Sequence, residues 1–171
     1  MAVRFVEVTT EEQVQQLART ADEVWHEFFT GLLSGPQIDY MVDKFQSFPA
    51  LTKQLKEEGY RYFFLCDGHS PQESPTVMGY TGVRPDGDKL FLSKLYLLAP
   101  YRGKGYASEA FAFLTGLCKG LSLGAMWLTV NRHNEHSIAV YRARGFQTVK
   151  EQVSDIGNVF VMDDYVMELT V

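Results

Sequence analysis

Arg102-Gly103-Lys104-Gly105-Tyr106-Ala107 is the stretch on which the reading of this chain turns. An apolar run, Leu92 to Leu98, leads into it, and residues at helical spacing from Ala107 to Cys118 lead out. A glycine-rich turn therefore joins the end of a strand to the start of a helix. The first N–H groups of a helix have no partner inside it, and two glycines let the main chain approach a ligand and aim those donors at it. Such a junction is an anion cradle, and a pyrophosphate suits it. The spacing excludes two kinds of pyrophosphate site. A nucleoside-triphosphate loop requires a glycine where Leu98 stands and a Ser or Thr where Gly105 stands. The dinucleotide fingerprint requires a third glycine and an acidic residue about twenty positions on, closing a βαβ unit.

At 171 residues the chain makes one domain, which buries roughly two thirds of its unfolded surface. Its 46% hydrophobic and 22% charged residues are the composition of an ordinary folded protein, not of a disordered or fibrous one. A net charge of -5 and a pI of about 5.4 argue against nucleic acid as a partner and suit a cationic substrate. Cys66 and Cys118 form no C-x-x-C pair, so buried free thiols are expected, not a zinc site or a disulfide. The four histidines have no carboxylate or cysteine at ligand spacing, and no metal is expected. Met1 to Val8 holds Arg4 and Glu7 and lacks a long apolar run. With no stretch near eighteen uninterrupted apolar residues, no membrane partner and a cytoplasmic location are expected.

In chain order, Val3 to Val8 reads as a strand and Thr9-Thr10-Glu11-Glu12 as a helix start, a threonine N-cap followed by acids at the positive end of the dipole. Val14, Leu17, Ala21, Val24, Trp25 and Phe28 keep helical spacing to about Phe29. Gly31 and Ser34-Gly35-Pro36 break the pattern. Helices over Gln37–Phe45 and Ala50–Glu58 follow, then strands over Tyr60–Cys66 and Val77–Val83, a turn at Pro85-Asp86-Gly87-Asp88, and the strand Lys89–Leu98. Past the cradle helix come a strand at Ala125–Val130, a helix at Asn134–Arg144 capped by Gly145, and strands over Phe146–Val153 and Val159–Val171. The Asp163-Asp164 pair reads as a solvated turn rather than a substrate clamp. This order of elements predicts a mixed α/β (α+β) sheet sandwiched by helices.

A second constellation lies beyond the cradle. Asn134, Ile138 and Tyr141 share one helix face, since the seven positions from Asn134 to Tyr141 are about two turns. Arg102-x-x-Gly105-x-Ala107, followed by Asn134-x-x-Ser137-x-x-x-Tyr141-x-x-x-Gly145-Phe146, resembles the two signatures of the GNAT (Gcn5-related) N-acetyltransferase superfamily. Ser137 departs from the alanine usual there. The matched motifs span about Leu92 to Phe146, and outside them the likeness lies in the order of elements. Phe160 to Met167 faintly resembles the tail of PaiA-type polyamine acetyltransferases.

The resemblance implies a central, mostly antiparallel, twisted sheet of about seven strands with helices on both faces, and acetyl-CoA as cosubstrate. It implies direct attack of an amine on the thioester. The main chain from Arg102 through Gly103, Lys104, Gly105 and Tyr106 to Ala107 would hold the pyrophosphate. Tyr96 and Leu97 would pair with the pantetheine arm as a further strand, and Asn134 would hydrogen-bond it. Free donors on a splayed strand would receive the thioester oxygen as it gains charge. Tyr141 would be the general acid, its ordinary pKa near 10 keeping a proton at hand. The Arg102 guanidinium either anchors the loop or meets a phosphate; the Lys104 side chain either touches phosphate or faces solvent. Trp25, His26 and Phe29 border the expected acceptor site, and the base is left open among His26, Glu23 and Glu27, acting through water. The acceptor is expected to be a small-molecule primary amine or polyamine. The alternatives are a protein or peptide N-terminus, or a CoA-binding sensor without catalysis. Analogy with the superfamily also suggests a homodimer.

Overall fold

The computed structural model describes residues 3–158 and 160–171. Strand β1 (Val3–Glu7) is followed by three helices, α1 (Glu11–Phe29), α2 (Gly35–Gln46) and α3 (Phe48–Glu57). A meander of β2 (Arg61–Asp67), β3 (Val77–Asp86) and β4 (Lys89–Leu97) leads through a short 3-10 turn at Ala99–Tyr101 to α4 (Tyr106–Gly120). The chain then runs through β5 (Ala125–Asn131), α5 (Glu135–Ala143), β6 (Gln147–Gly157) and β7 (Phe160–Thr170). Val159, expected to open the last strand, lies outside the described residues. The seven strands form one sheet in the order β1-β2-β3-β4-β5-β7-β6. Among the described residues every pairing is antiparallel except β4 with β5.

Alternation along the strands feeds two cores, one on each face. Tyr62, Phe64, Cys66 and Tyr80 pack against α1, α2 and α3, whereas Phe63, Val83, Leu92 and Met126 pack against α4 and α5. Cys66 and Cys118 are both buried free thiols. The start of α1 is a capping box: the Gln13 N–H donates to Thr10 Oγ1 at 3.2 Å and the Thr10 N–H to Gln13 Oε1 at 3.0 Å.

Two helix starts fall earlier than expected, for one physical reason. Ser34 and Ser47 are the N-caps of α2 and α3, and Pro36 and Pro49 sit in the first turn, where a missing N–H costs nothing. Strand β3 runs on to Asp86 because Pro85 and Asp86 still pair with Leu90 and Lys89. The Asp163-Asp164 turn is corrected: both residues lie inside β7, paired with Val153 and Gln152 of β6.

The sheet is open at its centre. The parallel pairing of β4 and β5 covers only Lys89–Phe91 against Ala125–Trp127. Beyond it β4 stays with β3 as far as Leu97, while β5 stays with β7 as far as Asn131. From Leu92 onward β4 therefore keeps one neighbour and the strands diverge. A bulge helps to turn β4 away: Gly82 pairs with Lys94 and Val83 with Leu92, which leaves Ser93 extra.

Gly79 holds the other side of this strand. A Cβ at Gly79 would lie 2.1 Å from the Tyr96 carbonyl oxygen. Gly79→Ala must push β4 out of register, and we expect it to destabilise the protein by about 2 kcal/mol or more. Thermal unfolding checks this; an unchanged melting temperature would mean that β4 yields freely.

Candidate active site

One cavity of about 700 Å³ runs through the splay, from the turn before α4 to the helices on the opposite face. At its first end Gly103 and Gly105 have φ of +73° and +86°, the left-handed region that glycine enters without strain. Gly105 is the N-cap residue of α4. Among the described residues, the N–H groups from Gly103 to Ala107 donate to no protein acceptor. Five free donors stand at this helix start, a geometry suited to an anion, and the space at Gly103 is open, with nothing within 4 Å of a would-be Cβ.

Arg102 lines the cavity, but its side chain is engaged by protein. Its guanidinium forks onto Glu27 of α1 at 2.7 and 2.6 Å, donates to the Leu97 carbonyl at 2.9 Å, and lies over the Phe28 ring. Of the two roles open to it, anchoring is the one this geometry serves. The same pair occupies Glu27, one of the three expected bases. Lys104 is exposed and does not line the cavity.

Farther in, Tyr96 and Leu97 line the cavity from the unpaired side of β4, and Asn134 and Tyr141 from α5. Asn134 is buried and caps α5, its Oδ1 accepting the Ser137 N–H at 3.2 Å. Its amide hydrogens are left for a ligand. Tyr141 packs between Phe111 and Phe146, and burial pushes its phenol up to about 12. Burial also raises the Tyr96 phenol, with Tyr141 and Asp164 close enough to add to the shift, so these three groups meet at the splay.

Trp25 and Phe29 form part of an aromatic wall of the cavity away from the glycine turn, with Phe28 and Tyr96. His26 is not brought there, and its expected place at the acceptor site is corrected. It is one helical position from Trp25, about 100° round the axis, and it points outward to Asp39 at 2.5 Å and to the Asp22 carbonyl at 2.8 Å. Those contacts raise its pKa, the Asp39 hydrogen bond most.

Beneath the wall runs a buried polar lattice. Trp25 Nε1 donates to Tyr80 (3.0 Å), Tyr80 to Gln46 (3.0 Å), Gln46 to Tyr62 (3.4 Å), and Tyr62 to Gln54 (2.6 Å).

Two cavity residues were missed by sequence reasoning. Asp164 is 3% exposed, its Oδ1 has no hydrogen-bond partner, and burial, with Asp163 beside it, lifts its carboxyl to about 6. Asp163 points to the other face, onto Arg132 Nε at 3.0 Å. Lys94 projects from β4 between the Trp25 and Tyr62 rings, donates to the Tyr62 hydroxyl at 3.3 Å, and is pushed down to about 7 by burial. Both were visible as charges inside apolar runs, Leu92-Ser93-Lys94-Leu95 and Val161-Met162-Asp163-Asp164-Tyr165-Val166.

A helix start with free amides thus opens onto a splayed parallel strand pair, with a phenol at mid-cavity. The chain belongs to the Acetyltransferase (GNAT) family, whose model matches residues 17–146. An N-acetyltransferase of Bacillus subtilis strain 168 named YycN, itself described as uncharacterized, is 37% identical over 57 residues. That match spans 33% of this chain and 36% of the relative. Among solved structures, the PaiA N-acetyltransferase of Thermoplasma acidophilum in complex with coenzyme A superposes with a TM-score of 0.77, at 18% identity over 100% of both chains. Mutant forms of the spermidine/spermine N-acetyltransferase SpeG of Vibrio cholerae give 0.66, at 13% identity over 99% of this chain and 95% of theirs. Among the described residues no helix is long and apolar enough to cross a membrane.

Proposed function

We propose that the protein transfers an acetyl group from acetyl-CoA to the primary amine of a small molecule. The observation that carries this is the single cavity in which free cradle amides, unpaired β4 main chain, Tyr141 and Asp164 lie along one path. The N–H groups of Gly103 to Ala107 would hold the diphosphate, the main chain at Tyr96 and Leu97 the extended arm, and the Asn134 amide hydrogens the same arm from the facing helix. Acetyl-CoA supplies an activated thioester.

One of the chain's residues then takes a proton and another donates a hydrogen bond. Asp164, ionised above about pH 6, takes a proton from the incoming ammonium and leaves a nucleophilic amine. Unpaired N–H groups of β4 hold the carbonyl oxygen as it gains charge. Tyr141 remains protonated throughout the neutral range and donates a hydrogen bond to the departing sulfur. Because its pKa lies above that of an ordinary thiol, near 8.5, it steadies the thiolate more than it neutralises it; as the C–S bond breaks, the nitrogen sheds its remaining extra proton, which the departing sulfur takes up to leave as the free thiol. A concave wall of aromatic rings favours a small acceptor over a folded protein's N-terminus.

Two measurements test this. Calorimetry with CoA should show binding, and free thiol should appear when acetyl-CoA and an amine are mixed. Gly105→Val puts a branched side chain at φ +86°, so we expect CoA affinity to fall by about tenfold or more. Unchanged affinity in that variant would move the diphosphate site elsewhere.

A further inference from the structure

We propose that the acceptor is an amine that also carries a carboxylate, with its amine at Asp164 and its carboxylate at Lys94. This rests on the transfer reaction set out above and adds the chemical class of the acceptor.

Lys94 and Asp164 lie on the same face of the sheet. Tyr96 and Lys94 alternate with Leu95, so both turn toward α1, and on β7 Met162 and Asp164 turn the same way, away from Tyr165. The two strands are not neighbours. β5 and the splay lie between them, so an anion and a cation line one cavity without meeting.

Neither charge is answered by the protein. Lys94 makes no ion pair among the described residues. Its single hydrogen-bond partner is the Tyr62 phenol, which burial holds neutral and which spends its own proton on Gln54. Asp164 Oδ1 accepts from nothing. The other charged groups on the cavity are differently placed. Arg102 is paired with Glu27, Arg144 reaches Ser108 at the cradle end, and Glu58 is exposed at the C-cap of α3.

An unpaired ammonium beside aromatic rings is costly, and so is an unpaired buried carboxylate. A ligand bearing both opposite charges relieves both costs, with a charge-assisted hydrogen bond at each end. A polyamine relieves only one. Its second ammonium would meet Lys94 as a like charge in a partly desolvated cleft, although the protein's net charge of -5 draws cations from solution. The cavity therefore selects against what the surface attracts.

With two strand spacings of about 4.8 Å between β4 and β7, and Lys94 reaching back toward Tyr62 on β2, the ligand must hold its two charges about 10 Å apart. The test is therefore acetyl transfer from acetyl-CoA to ω-amino acids of graded chain length, each assayed beside its carboxamide, with spermidine as a further arm. In the unaltered protein we expect kcat/KM for at least one acid to exceed that of its amide by about tenfold or more. Lys94→Met should bring that ratio to about one, and Lys94→Glu should turn it toward the amides and spermidine. Because Lys94→Met removes an uncompensated charge, it should melt no lower than the parent, which separates lost recognition from lost folding. If no acid reacts faster than its amide, or if an acid preference survives Lys94→Met, the inference is overturned. CoA binding by calorimetry keeps the two readings apart. A protein that binds no CoA fails as a transferase, whereas one that binds CoA and acetylates amides or spermidine equally well fails only here.

Discussion

Tyr141→Phe should lower kcat by about a hundredfold or more while CoA affinity stays within about twofold of the parent. The hydroxyl is the only polar atom this change removes, and the ring stays packed between Phe111 and Phe146. Fold and cradle are therefore spared, and the loss falls on the step in which sulfur departs. The pH profile carries a second signature. A phenol held near 12 does not titrate in the working range, so kcat in the parent should show no alkaline limb from this residue below about pH 10. Steady-state kinetics with a saturating amine checks both, and undiminished turnover in Tyr141→Phe would remove the phenol from the mechanism.

Asp164→Asn should reduce kcat/KM by about 10²- to 10³-fold at pH 7 and abolish the acid limb that the parent shows near pH 6. Stability should move the other way. Burial raises the folded-state pKa of Asp164 above its ordinary value of 3.8, to about 6. The native state thus binds more protons than the unfolded state between those values, and its contribution, complete below pH 4, is lost as pH rises through 6. At pH 7 the parent bears an ionised carboxylate with an unpartnered oxygen, which Asn does not. We expect a gain of roughly 2 kcal/mol, or about 5 °C in melting temperature, vanishing near pH 4. A variant that loses both activity and stability at pH 7 would make Asp164 a structural residue.

How far the site could be read from sequence depended on how local its chemistry is. The cradle is six consecutive residues, and Asn134 and Tyr141 lie on one short helix, so spacing alone fixes their relation. Trp25 and Phe29 reach the cavity together for the same reason, and helical geometry already separates them from His26. Lys94 and Asp164 were not legible, because the face of a strand residue depends on pairing. The bulge at Ser93 resets the alternation of β4, and only the register of β7 with β5 and β6 sends Asp163 to Arg132 and Asp164 into the cavity. Lys94 finds its surroundings in Trp25 and Tyr62, dozens of positions away. Ser34-Gly35-Pro36 shows the opposite error, a start signal taken as a stop because a proline was weighed without its position in the turn.

The chain of hydrogen bonds through Trp25, Tyr80, Gln46, Tyr62 and Gln54 links three helices to two strands below the pocket. Each member answers a partner on a different element, so shortening any one of them strands polar atoms on its neighbours. Diversification toward new acceptors, in nature or in a directed-evolution library, is therefore confined to rim positions such as Leu33, Gln37 and Val161, above a keel that does not tolerate carving.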